Sequence, residues 1–159
     1  MTTTLVAYAS THGSTAGLAG WIADELRAHG IDAWAVPAAR ISSLESIDAV
    51  VIGSAVYFGR WLPEATELVE RHAGDLRAMP VWLFATGPTG TPDEGAHLDE
   101  QDRLASLVGA RQARVFGGAL DRTTSSAEAL QLGDWRDEHE VRRWARDIAD
   151  ELAVVSSPA

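Results

Sequence analysis

At 159 residues, with 46% hydrophobic and 23% charged side chains, the chain has the bulk of one globular domain rather than two. Its formal charge of −10, with no basic stripe to offset it, argues against nucleic acid as a partner. Zero cysteines exclude disulfides, thiol catalysis and iron–sulfur ligation, and all 13 basic residues are arginine, which removes a Walker-type phosphate loop and a Schiff-base lysine.

The first predicted element is a strand over 4–9, built on the β-favouring run Leu5 to Ala9. It stops at Ser10-Thr11-His12-Gly13-Ser14-Thr15. A helix over 15–28 follows, with Leu18, Ile22 and Leu26 spaced by four. Strand, hydroxyl-rich loop and helix together suit a phosphate, because hydroxyls and backbone N–H groups meet at the positive end of a helix. Gly13 allows a close backbone approach or a positive φ. The loop holds no Lys or Arg, so neutral donors and the helix terminus must do the holding. A helix cap by Ser14 or Thr15 accounts for one hydroxyl, but not for four in six positions.

Strands are then predicted over 31–36 and 48–54, the second carrying the run Ile47 to Ile52 expected of a strand covered on both faces. A helix over 62–77, a strand over 80–85, a helix over 98–109 and a strand over 113–119 come next. The last helix, 138–153, places Val141, Trp144, Ala145, Ile148 and Leu152 on one stripe, with Asp137 and Glu140 as a capping pair. The expected organisation is one domain over 1–153 and a frayed, disordered tail over 154–159. Alternating strands and helices with short connections predict an α/β fold: a parallel sheet covered on both sides.

Other chemistries find little support. The five histidines, at 12, 29, 72, 97 and 139, share no metal-ligand spacing, so no metal site is expected. The acidic group Asp93, Glu94, His97, Asp99, Glu100 and Asp102 reads as the solvated start of a helix. No Gly-x-Ser-x-Gly elbow is present. No apolar run approaches a membrane span, and the N-terminus lacks a signal-type core, so the cytoplasm is the expected compartment.

Five strands in this order, with the ligand loop after the first, resemble the flavodoxin-like fold: a doubly wound five-stranded parallel sheet of order 2-1-3-4-5 with helices on both faces. The flavodoxin phosphate loop reads roughly Ser/Thr-x-Thr-Gly-x-Thr. Here Ser10, Gly13 and Thr15 match it, and His12 stands where Thr is usual. The resemblance implies bound flavin mononucleotide (FMN), with Ser10, Thr11, His12, Gly13, Ser14 and Thr15 around its phosphate. It also assigns Ser54, Ala55, Val56, Tyr57, Phe58, Gly59 and Arg60, and then Thr86, Gly87, Pro88, Thr89 and Gly90, to the ring pocket. In that setting an aromatic face stacks on the ring and a glycine peptide can turn to bond it. A cation at Arg60 would favour the anionic reduced flavin.

Within this superfamily the chain looks most like the branch of quinone-linked (menaquinone-dependent) protoporphyrinogen IX dehydrogenases. That likeness is carried by Val50 to Trp61 with the helix to Leu76, by Phe116-Gly117-Gly118-Ala119-Leu120, and by Asp134-Trp135 leading into Trp144-Ala145-Arg146. It implies a quinone or porphyrinogen as small-molecule partner. The branch carries a longer basic and apolar insert where this chain has only Asp121 to Gly133. A non-enzymatic electron carrier docking on redox proteins is the alternative, and no residue is assigned as a catalytic acid or base.

Overall fold

The structure, a computed structural model, describes residues 2–10, 13–57, 59–87, 99–117, 119–120, 133–134 and 136–156. The chain runs β1 (Thr3–Ala9), α1 (Ser14–Ala28), β2 (Asp32–Pro37), a 3₁₀ turn (Ala38–Arg40), β3 (Ala49–Tyr57), β4 (Arg60–Trp61), α2 (Pro63–Arg71), α3 (Ala73–Arg77), β5 (Val81–Gly87), α4 (Asp99–Val108), β6 (Gln112–Gly117), β7 (Ala119–Leu120), β8 (Gly133–Asp134) and α5 (Glu138–Ser156). The five long strands are parallel in the order β2-β1-β3-β5-β6, which is the predicted 2-1-3-4-5 arrangement.

Period-two geometry sends alternate residues of each strand into opposite cores. Leu5, Ala7, Val50, Ile52, Val81 and Leu83 pack with α2, α3 and α4 through Leu68, Val69, Leu76 and Leu104. Val6, Val51, Trp82 and Phe84 pack with α1 and α5 through Leu18, Ile22, Trp144 and Ile148. Both faces are covered, so the central strands read as continuous apolar runs. Phe84, Phe116 and Trp144 meet edge-on or tilted, with centroids 5.4–6.3 Å apart. The Trp144 indole N–H donates to Gln112 Oε1 at 2.8 Å, which satisfies its one polar atom. Gly53 lets the Phe84 ring cross β3, since a Cβ there would lie 2.0 Å from Phe84 Cζ.

Helix α5 starts as predicted, with the Glu140 N–H donating to Asp137 Oδ1 at 3.1 Å. It is tied to α1 by Glu25, which faces Arg142 at 3.4 Å and Arg146 at 3.3 Å. The Arg142 guanidinium is held above its ordinary pKa, first by its hydrogen bond to Glu138 and then by Glu25.

Three departures from expectation stand out. The predicted helix 62–77 is two helices, broken at His72 (φ −107°, ψ 19°) two residues before Gly74, a poor helix former. The break costs little, because the Leu76 N–H still bonds the His72 carbonyl at 2.9 Å and Leu76 stays buried. The strand predicted over 113–119 ends at Gly117, and Ala119–Leu120 instead pair antiparallel with Gly133–Asp134. Backbone pairing of two residues carries no side-chain period for a sequence to reveal. Helix α5 continues to Ser156, so 154–156 are helical and not part of a tail; residues 157–159 lie outside the described residues. The apolar stripe ends at Leu152 while backbone bonding goes on, leaving Val154 76% exposed. No helix among the described residues is long and apolar enough to cross a membrane.

Candidate functional site

All five parallel strands end at one edge of the sheet, and the order reverses between β1 and β3, the place where such sheets bind ligands. Helix α1 begins there. Gly13 occupies its N-cap in the left-handed region (φ 87°, ψ −9°), a conformation glycine adopts without strain. The Gly13 N–H donates to Ser10 Oγ at 2.9 Å, which folds the end of β1 onto the helix start. Gly17 is the first residue whose N–H is bonded within the helix, to the Gly13 carbonyl at 3.0 Å. The N–H groups of Ser14, Thr15 and Ala16 precede it, no side chain among the described residues caps them, and no acid stands in the first turn. Three open donors at a positive helix end form an anion cradle. Thr11 and His12, predicted in the same loop, lie outside the described residues.

Thr15 does not present its hydroxyl to this cradle. It is fully buried, and its Oγ1 lies 2.7 Å from Thr86 Oγ1 at the end of β5. What Thr15 retains for a ligand is its backbone N–H. The same bond accounts for Thr86, which is also buried. Gly87 ends β5 with no atom within 4 Å of where a Cβ would stand. Pro88, Thr89 and Gly90 lie outside the described residues.

The second predicted segment divides. Ser54 is fully buried; its hydroxyl donates to the Ala55 carbonyl at 2.8 Å and accepts from the Leu62 N–H at 2.9 Å. It braces the connection internally. Ala55 and Val56 are buried strand residues. The chain then reverses, with Tyr57 paired to Arg60 and Val56 to Trp61, around Gly59 at φ 77°. Arg60 is exposed and has no ion-pair partner among the described residues. Phe58 lies outside the described residues. Trp61 belongs to the core at 3% exposure.

This hairpin is clamped by α4. The Trp61 N–H donates to Glu100 Oε1 at 2.9 Å, and its indole N–H donates to Gln101 Oε1 at 3.1 Å. Thr66 Oγ1 reaches the same Glu100 oxygen at 3.4 Å. The sequence reading of Glu100 as part of a solvated helix start is therefore corrected: it points inward to an open backbone donor. Buried Gln101 was missed altogether. The only local signal was an uncharged residue inside an acidic run.

A cavity of about 590 Å³ opens beside the cradle, lined by Tyr8, Ala9, Ser10, Pro37, Ala38, Ala39, Leu62 and Glu64. Among the described residues of the predicted site, Ser10 borders it. The other lining residues arrive from the end of β1, the end of β2, the 3₁₀ turn and the start of α2. The volume suits a small organic ligand. Among the described residues no three His, Asp or Glu side chains converge on a metal position.

Open amides at a helix start, a glycine turn at the end of β3 and a small residue ending β5 thus lie at one edge of a doubly wound sheet. The chain belongs to the flavodoxin domain family, whose model matches residues 5–127. It is 34% identical over 177 aligned positions to the protoporphyrinogen IX dehydrogenase [quinone] of Escherichia coli K12, covering 92% of this chain and 94% of that protein. A flavodoxin from the domain Archaea superposes with a TM-score of 0.68 at 16% identity, over 94% of this chain and 98% of that one. The rubredoxin oxygen:oxidoreductase of Desulfovibrio gigas superposes with a TM-score of 0.68 at 14% identity, over 98% of this chain but 37% of its own. At these identities the two structures speak for the fold.

FMN is the cofactor this family implies, and the donor set here fits it. The cradle offers the neutral N–H groups that a phosphate needs and places no acid in the first turn of α1.

Proposed function

We propose that the protein is an FMN-dependent redox protein acting in a quinone-linked oxidation of the protoporphyrinogen IX dehydrogenase type. The observation that carries the reading is the cradle of uncapped N–H groups at Ser14, Thr15 and Ala16, beside Ser10 and at the strand-order reversal. Its likeness to the E. coli dehydrogenase along nearly the whole of both chains supports the reaction class.

The N–H groups of Ser14, Thr15 and Ala16 bind the phosphate, and Ser10 Oγ, already accepting from Gly13, has its proton left to donate. Gly59 and Arg60 of the β3–β4 hairpin are the described residues that would face the ring, and the hairpin's position is held by Glu100 and Gln101. Thr86 ties the end of β5 to the start of α1 through Thr15, and Gly87 ends β5 at the same edge of the sheet. FMN, when bound, supplies the electron and hydride chemistry, so the chain need provide no acid or base of its own. Titrating the protein into FMN should quench flavin fluorescence with micromolar or tighter affinity. Incubating the loaded protein with protoporphyrinogen and a menaquinone analogue should raise porphyrin fluorescence above a protein-free control. Absence of flavin binding refutes the first half, and absence of porphyrin the second.

One observation favours a second reading, an electron carrier. The aligned stretch of 177 positions is longer than this entire chain, so the E. coli protein has residues without a counterpart here. A reductive titration separates the two: a stable one-electron stage supports the carrier, and a direct two-electron reduction supports the enzyme.

A further inference from the structure

The predicted phosphate loop contains no basic residue, yet a cation stands beside it. Arg136 precedes α5, whose start lies at the same sheet edge as the start of α1. Its Nη1 sits 2.8 Å from where a Cβ on Gly17 would be. Its guanidinium carbon lies 5.3 Å from the centroid of the Trp21 ring. Gly17 and Trp21 are one turn apart on α1, so the guanidinium is seated by a helix glycine that makes room and an aromatic face that attracts it.

The seat lies toward the N-terminal end of α1. The guanidinium thus spans the first two turns of α1, between Gly17 and Trp21. Gly17 is three residues beyond Ser14, roughly 4.5 Å along the axis. An anion on the amides of residues 14–16 thus falls within about 10 Å of the guanidinium, on the order of one Debye length at physiological salt. Phosphate carries up to two negative charges, and the helix end supplies only about half a positive charge.

We propose that Arg136 is a specificity-determining cation for the phosphate of FMN: it acts across the first turn of α1 and favours FMN over the uncharged riboflavin. This rests on the FMN reading above. Arg136 supplies from the far end of the chain the charge that the loop lacks. Gly17 is the residue that admits it.

The test measures dissociation constants for FMN and for riboflavin by fluorescence quenching, for the wild type, R136Q, R136K and G17A, at low and high salt. R136Q should weaken FMN about fivefold at low salt and leave riboflavin unchanged, as expected for a charge pair at this separation in a high dielectric. The difference should shrink at high salt, and R136K should keep most of the wild-type preference. G17A should reproduce the phosphate-selective loss by displacing the guanidinium. It also keeps the test open if R136Q folds poorly, because alanine is the better helix former. Equal losses for both flavins, or no loss for either, would show Arg136 to be a structural prop for Trp21 and overturn the proposal. A wild type that binds riboflavin as tightly as FMN overturns it as well. A wild type that binds neither refutes the FMN reading itself.

Discussion

The hydroxyls of Thr15 and Thr86, 71 residues apart in sequence, lie 2.7 Å from each other in the interior and join the start of α1 to the end of β5. Two connections that border the site are thereby locked together before any ligand arrives. Replacing either residue with valine keeps the shape and leaves the other hydroxyl buried and alone. Each single variant should lose about 1–3 kcal/mol of stability in urea unfolding. The double variant T15V/T86V should lose less than the sum of the two. A purely additive result would mean that the pair contributes no coupling.

Gly13 holds the loop in a conformation that other residues resist. G13A should cost about 1–2 kcal/mol in stability through its φ of 87°. Because that strain sits at the cradle, FMN affinity should fall as well. The two losses can be read separately, by denaturation and by flavin quenching.

Gly53 shows the opposite constraint, one of space. G53A places a methyl group 2.0 Å from Phe84 Cζ in a packed core, where overpacking typically costs about 1–3 kcal/mol. Adding F84L should recover part of the loss, since a smaller side chain vacates the clash. If the double variant is no more stable than G53A, the contact is not the cause.

The clamp on the hairpin should be separable from the fold. Q101L leaves the buried Trp61 indole N–H unpartnered and should cost about 1–3 kcal/mol. E100Q keeps an acceptor but removes its charge, so its stability cost should be smaller. Both variants should weaken flavin binding if the hairpin borders the ring. Stability loss with unchanged affinity would detach the hairpin from the site.

Much of the fold was legible in the sequence because strong periods encode it. The stripe Val141, Trp144, Ala145, Ile148 and Leu152 is buried throughout, and the strands from Leu5 and Val50 are covered on both faces. The capping role of Asp137 was legible too, since a cap is a contact between near neighbours. The break at His72 was not, because the apolar face runs on through it to Leu76. The pairing of β7 with β8 was not, because two-residue pairing leaves no pattern.

The amino-acid sequence by itself determined where α1 begins, what its first turn offers and the alternation that makes a parallel sheet, for these are matters of local propensity and period. Only the tertiary structure decided what each polar side chain does. It turned Thr15 inward to Thr86, made Ser54 a brace, drew Glu100 out of an acidic run to hold Trp61, and brought Arg136 against Gly17. The physical reason is common to all four. A buried donor or a charge must find its partner wherever the chain brings one, and in this sheet the partners come from strands and helices far apart in sequence.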